Sequence, residues 1–130
     1  MRKKLSVVVV VTGMALISVL PGYAAEKDSD AKTYAYINYS QTSNSYIVGK
    51  SYASSTNSNF KSLNVQGSLY QGTSLKESGT ASTSTKGNEA AWYTKDKTYS
   101  SSTSHTLQTA SRTYYKDGTS SDQSYASDTW

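Results

Sequence analysis

The chain has no cysteine, one histidine and one proline in its 130 residues. Without cysteine there is no disulfide, although small exported domains often rely on them. A zinc site usually draws several ligands from Cys and His, so one histidine and no cysteine argue strongly against it. Aliphatic residues are also scarce. After residue 25 they are Ile37, Ile47, Val48, Leu63, Val65, Leu69, Leu75 and Leu107, and with Phe60 they make about 9 % of the remainder. That fraction falls in the range that warns of disorder, but disorder also calls for a high net charge. The formal charge is +4 from 13 basic and 9 acidic residues. Arg2, Lys3 and Lys4 lie in the first few residues, and without them 10 basic residues face the same 9 acidic ones. No basic stripe is left for a nucleic acid.

The first 25 residues read as a secretory signal. Arg2 to Lys4 form a positive start, Leu5 to Leu20 are almost wholly apolar, and Gly22-Tyr23-Ala24 supplies small residues at a cleavage site. Those are the three parts of a signal peptide. A membrane span needs about 20 apolar residues, more than this run offers. Cleavage is expected after Ala24 or Ala25. With no cysteine for a lipid anchor, no apolar C-terminal tail and no sorting segment, the expectation is a secreted protein. The short lysine-rich start is of the bacterial, Gram-positive kind. In a eukaryotic setting Asn38-Tyr39-Ser40 would be a glycosylation sequon.

What the chain does have is tyrosine: 12 in all, with two tryptophans. Ordering a residue costs about 1.5 kcal/mol, and a buried aliphatic side chain returns only about 1.5–3 kcal/mol. So few aliphatic residues cannot hold a domain of this size. The tyrosines and tryptophans, at about 150–250 Å² each, are therefore expected to form the core.

The pattern after residue 32 has a period of two, with β-branched and aromatic enrichment, which predicts strands. Residues 26–32 are charged and small, as in a flexible N-terminal segment. Strands are predicted over 33–39, 45–54, 61–70, 74–85, 89–94, 105–115 and 121–130. The clearest is 61–70, with Leu63, Val65, Gly67 and Leu69 on one face. In the second, Tyr46, Val48 and Tyr52 share a face. Gln71-Gly72-Thr73, Lys86-Gly87-Asn88 and Asp117-Gly118 read as turns, the last with both central residues at positive φ. Ser100 to Ser104 reads as a loop. Seven strands with regular turn signals predict an all-β fold, a small antiparallel β-sandwich over 33–130, with the immunoglobulin-like arrangement as its named form. A membrane barrel needs an apolar outer face. The face shared with Trp130 carries Asp128, Ala126, Ser124 and Asp122, a polar face, so a barrel is not expected.

Catalytic signals are weak. His105 lacks a placed acid and nucleophile of the triad kind, and it reads as an ordinary polar residue between loop and strand. The acids form no recognisable glycosidase pair. Asp28-x-Asp30 is the nearest thing to a calcium motif but lacks the rest of the loop, and it reads as a solvated tail. No cofactor, metal or enzymatic activity is expected.

Binding remains. A secreted, non-enzymatic sandwich acting at a surface through glycan, cell-wall or protein contacts is the leading expectation. Tyr93, Tyr99, Tyr114, Tyr115 and Trp130, near predicted loops and strand ends, are the candidate ligand-binding residues. Alternatives are a self-assembling matrix or fibre component, favoured by tyrosine interleaved with Ser, Thr, Asn and Gln, and a secreted bacteriocin-like antagonist.

Overall fold

The computed structural model describes residues 25–130. The expected signal peptide, but for Ala25, lies outside the described residues. Among them there is no helix; the chain forms two antiparallel sheets packed face to face. In the first sheet, β2 (Tyr46–Ser55) pairs with β1 (Ala31–Tyr39) on one side. On its other side lie β5 (Ala90–Tyr93) and the short β6 (Tyr99–Ser100). In the second, β3 (Phe60–Gln71) lies between β4 (Ser74–Thr83) and β7 (Thr106–Tyr115), and β8 (Ser124–Thr129) pairs with β7.

Alternation assigns the faces. In β3, Leu63, Val65, Gly67 and Leu69 point inward, as the sequence predicts, and all four are buried. In β1 the inward set is Thr33, Ala35 and Ile37, and in β2 it is Ile47, Gly49, Ser51, Ala53 and Ser55. Tyr34, Tyr36, Tyr46 and Tyr52 therefore point outward. None of the tyrosines of residues 25–130 is fully buried, which corrects the expectation that they form the core. A phenol in the middle of a thin interior would need a partner for its hydroxyl. Small residues let the sheets approach closely instead.

Two apolar clusters fill the interior. One joins Ala35, Ile37, Ile47, Leu69, Leu107, Ala126 and Trp130, with Tyr39, Trp92 and Tyr99 packed against it. The other joins Ala53, Phe60, Leu63, Val65 and Ala90. Along the strands between them, buried hydroxyls pair from sheet to sheet: Thr109 donates to Ser51 at 2.7 Å, and Thr33 and Ser111 Oγ atoms lie 2.7 Å apart. Each pair satisfies groups whose burial alone would cost stability. Trp92 from β5 reaches across to Gly67 and Gly79, which sit directly opposite each other on β3 and β4.

The turn at Gly72 has φ 60°, a left-handed conformation that glycine adopts without steric cost. At the Asp117-Gly118 turn only Gly118 has positive φ. Asp117 stays in the ordinary region and accepts the N–H of Thr119. Asp28 is buried rather than solvated, which corrects the reading of that segment. Its carboxylate accepts Ser55 Oγ at 2.6 Å, the Asp30 N–H at 2.9 Å and Asn57 Nδ2 at 3.2 Å. Burial alone would raise its pKa, but these hydrogen bonds hold it below the usual carboxylate value. His105 is buried as well, and its backbone N–H and C=O both pair with Trp130.

Candidate functional site

The outward face of the first sheet gathers the tyrosines. Direct cross-strand neighbours are Tyr34 with Tyr52, Tyr36 with Lys50, Lys50 with Tyr93, and Asn38 with Val48. One row across the sheet thus reads Tyr34, Tyr52, Ala91, and the next reads Tyr36, Lys50, Tyr93. The Tyr34 and Tyr52 rings stack with centroids 4.9 Å apart and planes 20° from parallel. Such a cross-strand aromatic pair stabilises the sheet by about 0.2–1 kcal/mol, so these two rings have a structural role of their own. Tyr36 and Tyr93 are different: they are 36 % and 55 % exposed and flank Lys50 from opposite strands. Two strand spacings separate their backbones, about 9.5 Å.

Lys50 is held in place. Its ammonium meets Glu89 Oε1 at 2.6 Å, lies 4.2 Å from the Tyr52 ring centroid and 5.6 Å from that of Tyr93. Burial works against its charge, but the Glu89 carboxylate more than offsets this and holds it above the ordinary lysine value. Burial likewise pushes the Tyr52 phenol up, against the pull of Lys50. The lysine charge is thus already partnered, and the face offers rings, phenols and the Asn38 amide, whose Nδ2 donates to Tyr36 Oη at 2.9 Å. It is a flat surface for stacking and hydrogen bonding.

Of the five residues singled out from sequence, Tyr93 alone lies on this face. Tyr99 packs beside the core and donates to Glu77 Oε1 at 2.7 Å; burial and that carboxylate push its phenol up to about 12. Tyr114 sits half-buried on the outer face of the second sheet, opposite Ser62. Tyr115 is half-buried at the end of β7, its phenol raised by burial and then by the Asp28 and Asp30 carboxylates. Trp130 is a core residue: its ring lies edge-on to Tyr39 at 4.8 Å, and its Nε1 donates to Ser101 O at 2.8 Å. The structure therefore does not bring these five together.

Sequence reasoning missed Tyr34, Tyr36, Tyr52 and Lys50. The signal was present. In β1 the set Thr33, Ala35, Ile37 alternates with Tyr34, Tyr36, Asn38, and the small apolar set is the one that goes inside. The outer face of the second sheet is more polar on β3 and β4, carrying Ser62, Asn64, Gln66 and Ser68 with Ser78, Thr80 and Ser82 beside them, while Tyr114 and Tyr125 lie on its β7 and β8 side. A depression of about 260 Å³ there is lined by Asn64, Val65, Gln66, Thr80, Ala81 and Ser82. Among the described residues, no three His, Asp or Glu side chains converge on a metal position. No protein-family model, curated protein or solved structure matches the chain.

Proposed function

We propose that this chain is an exported, non-enzymatic, immunoglobulin-like module that binds polysaccharide at a cell surface through the tyrosine face of its first sheet. The observation that carries this reading is the pair of exposed rings, Tyr36 and Tyr93, on either side of a neutralised Lys50. A flat aromatic surface suits the apolar face of a sugar ring, while phenols and the Asn38 amide suit its hydroxyl edge. Export rests on the signal-like composition of residues 1–25. The immunoglobulin-like form is supported by strand order. β1-β2-β5 opposes β4-β3-β7-β8, the order of strands A, B, E against C′, C, F, G in such domains, with β6 a short addition to β2.

Co-sedimentation of the purified chain with insoluble peptidoglycan and with linear polysaccharides tests the reading. The expected result is binding to at least one of them, weakened about tenfold by Tyr36→Ala and by Tyr93→Ala, or about 1.4 kcal/mol each. Tyr114→Ala, on the opposite sheet, should leave binding unchanged. Binding that survives removal of both Tyr36 and Tyr93 would sink the proposal, as would no binding to any of the polymers.

A further inference from the structure

We infer that β4 is a docking edge for a second copy of this chain, pairing antiparallel with the same strand of its neighbour. An exposed sheet edge offers unpaired N–H and C=O groups, and natural proteins usually shorten, cover or disrupt such edges. Three of the edges here are managed in that way. β1 and β8 lie side by side, with the Ile37 N–H donated to Asp128 Oδ2 at 2.8 Å and the Asp122 N–H donated to Glu26 O at 2.8 Å. On the far side of β2, β5 is four residues long and β6 two. β4 runs for ten residues and, among the described residues, has β3 as its one sheet neighbour.

The devices that blunt β4 are confined to one end, where the bulge, Lys76 and the inward-turned Glu77 lie together, and Ser78 to Thr83 carries no charge and no proline. The register shift falls between Leu69 and Tyr70, where Lys76 is left without a partner on β3. From Glu77 to Thr83 pairing with β3 is unbroken, and Ser78, Thr80 and Ser82 are exposed. No proline interrupts the strand. β5 packs against both β3 and β4, and from the first sheet's side the Lys95 N–H and the Tyr99 hydroxyl are donated to the Glu77 carboxylate, away from the Ser78–Thr83 stretch.

The chemistry of the strand suits its own copy. In antiparallel pairing centred on Ser78 or Gly79, Lys76 and Glu77 of one copy fall opposite positions 79–82 of the other. Those positions are Gly79, Thr80, Ala81 and Ser82, so no charge meets its like. The balance of 10 basic and 9 acidic residues after the signal adds little repulsion between copies. One strand pair buries less than about 1,200 Å², the class of weak, reversible contacts, so the dimer should depend on concentration. The two-fold axis of such a pair is perpendicular to the sheet. It keeps the first sheets of both copies on the same side, and the two tyrosine faces then look in one direction. Only that last consequence rests on the polysaccharide reading.

Sedimentation equilibrium of the purified chain across micromolar to millimolar concentrations tests the pairing. A reversible monomer–dimer equilibrium is expected. Ser78→Lys and Thr80→Lys, both at exposed positions, should each weaken it about tenfold by placing like charges across the axis while leaving the melting temperature unchanged. Mixing S78K with S78E should restore a dimer. A chain that stays monomeric throughout, lysine variants that dimerise like the parent, or growth past the dimer would each overturn the inference. Polysaccharide co-sedimentation is a separate readout, so loss of sugar binding and loss of dimerisation are told apart.

Discussion

A methyl group at Gly67 would meet Trp92 Cε3 at 2.3 Å and Ser51 Oγ at 2.4 Å, and one at Gly79 would meet Trp92 Nε1 at 2.0 Å. Real Cβ contacts are not that short, so either alanine must push the indole or part the sheets. Overpacking of this kind costs about 1–3 kcal/mol. Gly67→Ala should therefore destabilise the fold by about that amount in chemical denaturation. The cost should fall below about 0.5 kcal/mol when Trp92 is already alanine, since coupling between contacting residues is what a double-mutant cycle isolates. Undiminished cost in the Trp92→Ala background would mean that Ser51, not the indole, sets the limit. Gly67 is legible in the sequence as a member of the apolar face of its strand. Its reason is not, because Trp92 lies 25 positions away and nothing local marks the two as neighbours. The same holds for the tyrosines. Their number argued for burial, but their hydroxyls and the availability of Ala, Ser and Thr at alternate positions put them outside.

At the scale of elements, the period-two pattern located the long strands well because alternation is a property of consecutive residues. β3, β4 and β7 begin and end close to where the pattern does. β6 escaped because two residues carry no period; Tyr99 and Ser100 join the sheet only through pairing with Ile47 and Tyr46. The predicted strand 121–130 is regular only over β8, Ser124–Thr129, and its final residue is bonded to β7's approach instead. There His105 and Trp130 exchange backbone hydrogen bonds at 3.3 and 2.8 Å, and the imidazole Nδ1 lies 3.1 Å from Thr103 O. Tyr99 covers the ring edge-on at 5.8 Å. Burial, first, and the Lys76 charge hold the His105 pKa below its ordinary 6.5, in spite of the Thr103 carbonyl. The unfolded chain therefore takes up a proton near pH 6 that the folded chain refuses. The stability that this contributes is whole above pH 6.5 and is lost as the pH falls below it. Melting temperature should drop between pH 7 and pH 5, and His105→Gln should flatten that drop. Asp28 acts in a separate, more acidic window. Its carboxylate sits below the ordinary aspartate value of 3.8, so its contribution is present above that pH and is lost as the pH falls through the lower folded value. A parent and a His105→Gln variant with the same slope from pH 7 to 5 would remove His105 from the account.

For the whole molecule, the two proposed surfaces lie at right angles in purpose: one sheet face meets the ligand and one sheet edge meets a second copy. If both operate, their effects multiply on a surface. Two same-facing sites joined rigidly turn the second binding event into an intramolecular one, and avidity of this kind exceeds a single-site affinity by about 10²–10⁴ when the geometry permits both to engage. The gain appears only on a polymer long enough to reach both faces. Ser78→Lys separates the effects, since it touches the edge and leaves Tyr36 and Tyr93 as they were. On immobilised polysaccharide the parent chain should dissociate at least about tenfold more slowly than S78K. On a short oligosaccharide free in solution the two should bind alike. Equal dissociation from the polymer, with dimerisation already established, would mean that the paired faces do not share one plane, because twist carried through β4 turns them apart. Slower dissociation that also appears with the short oligosaccharide would place Ser78 in the binding site itself. A difference confined to the polymer fits a two-fold arrangement, and it would make the bare edge of β4 part of how the tyrosine face holds on.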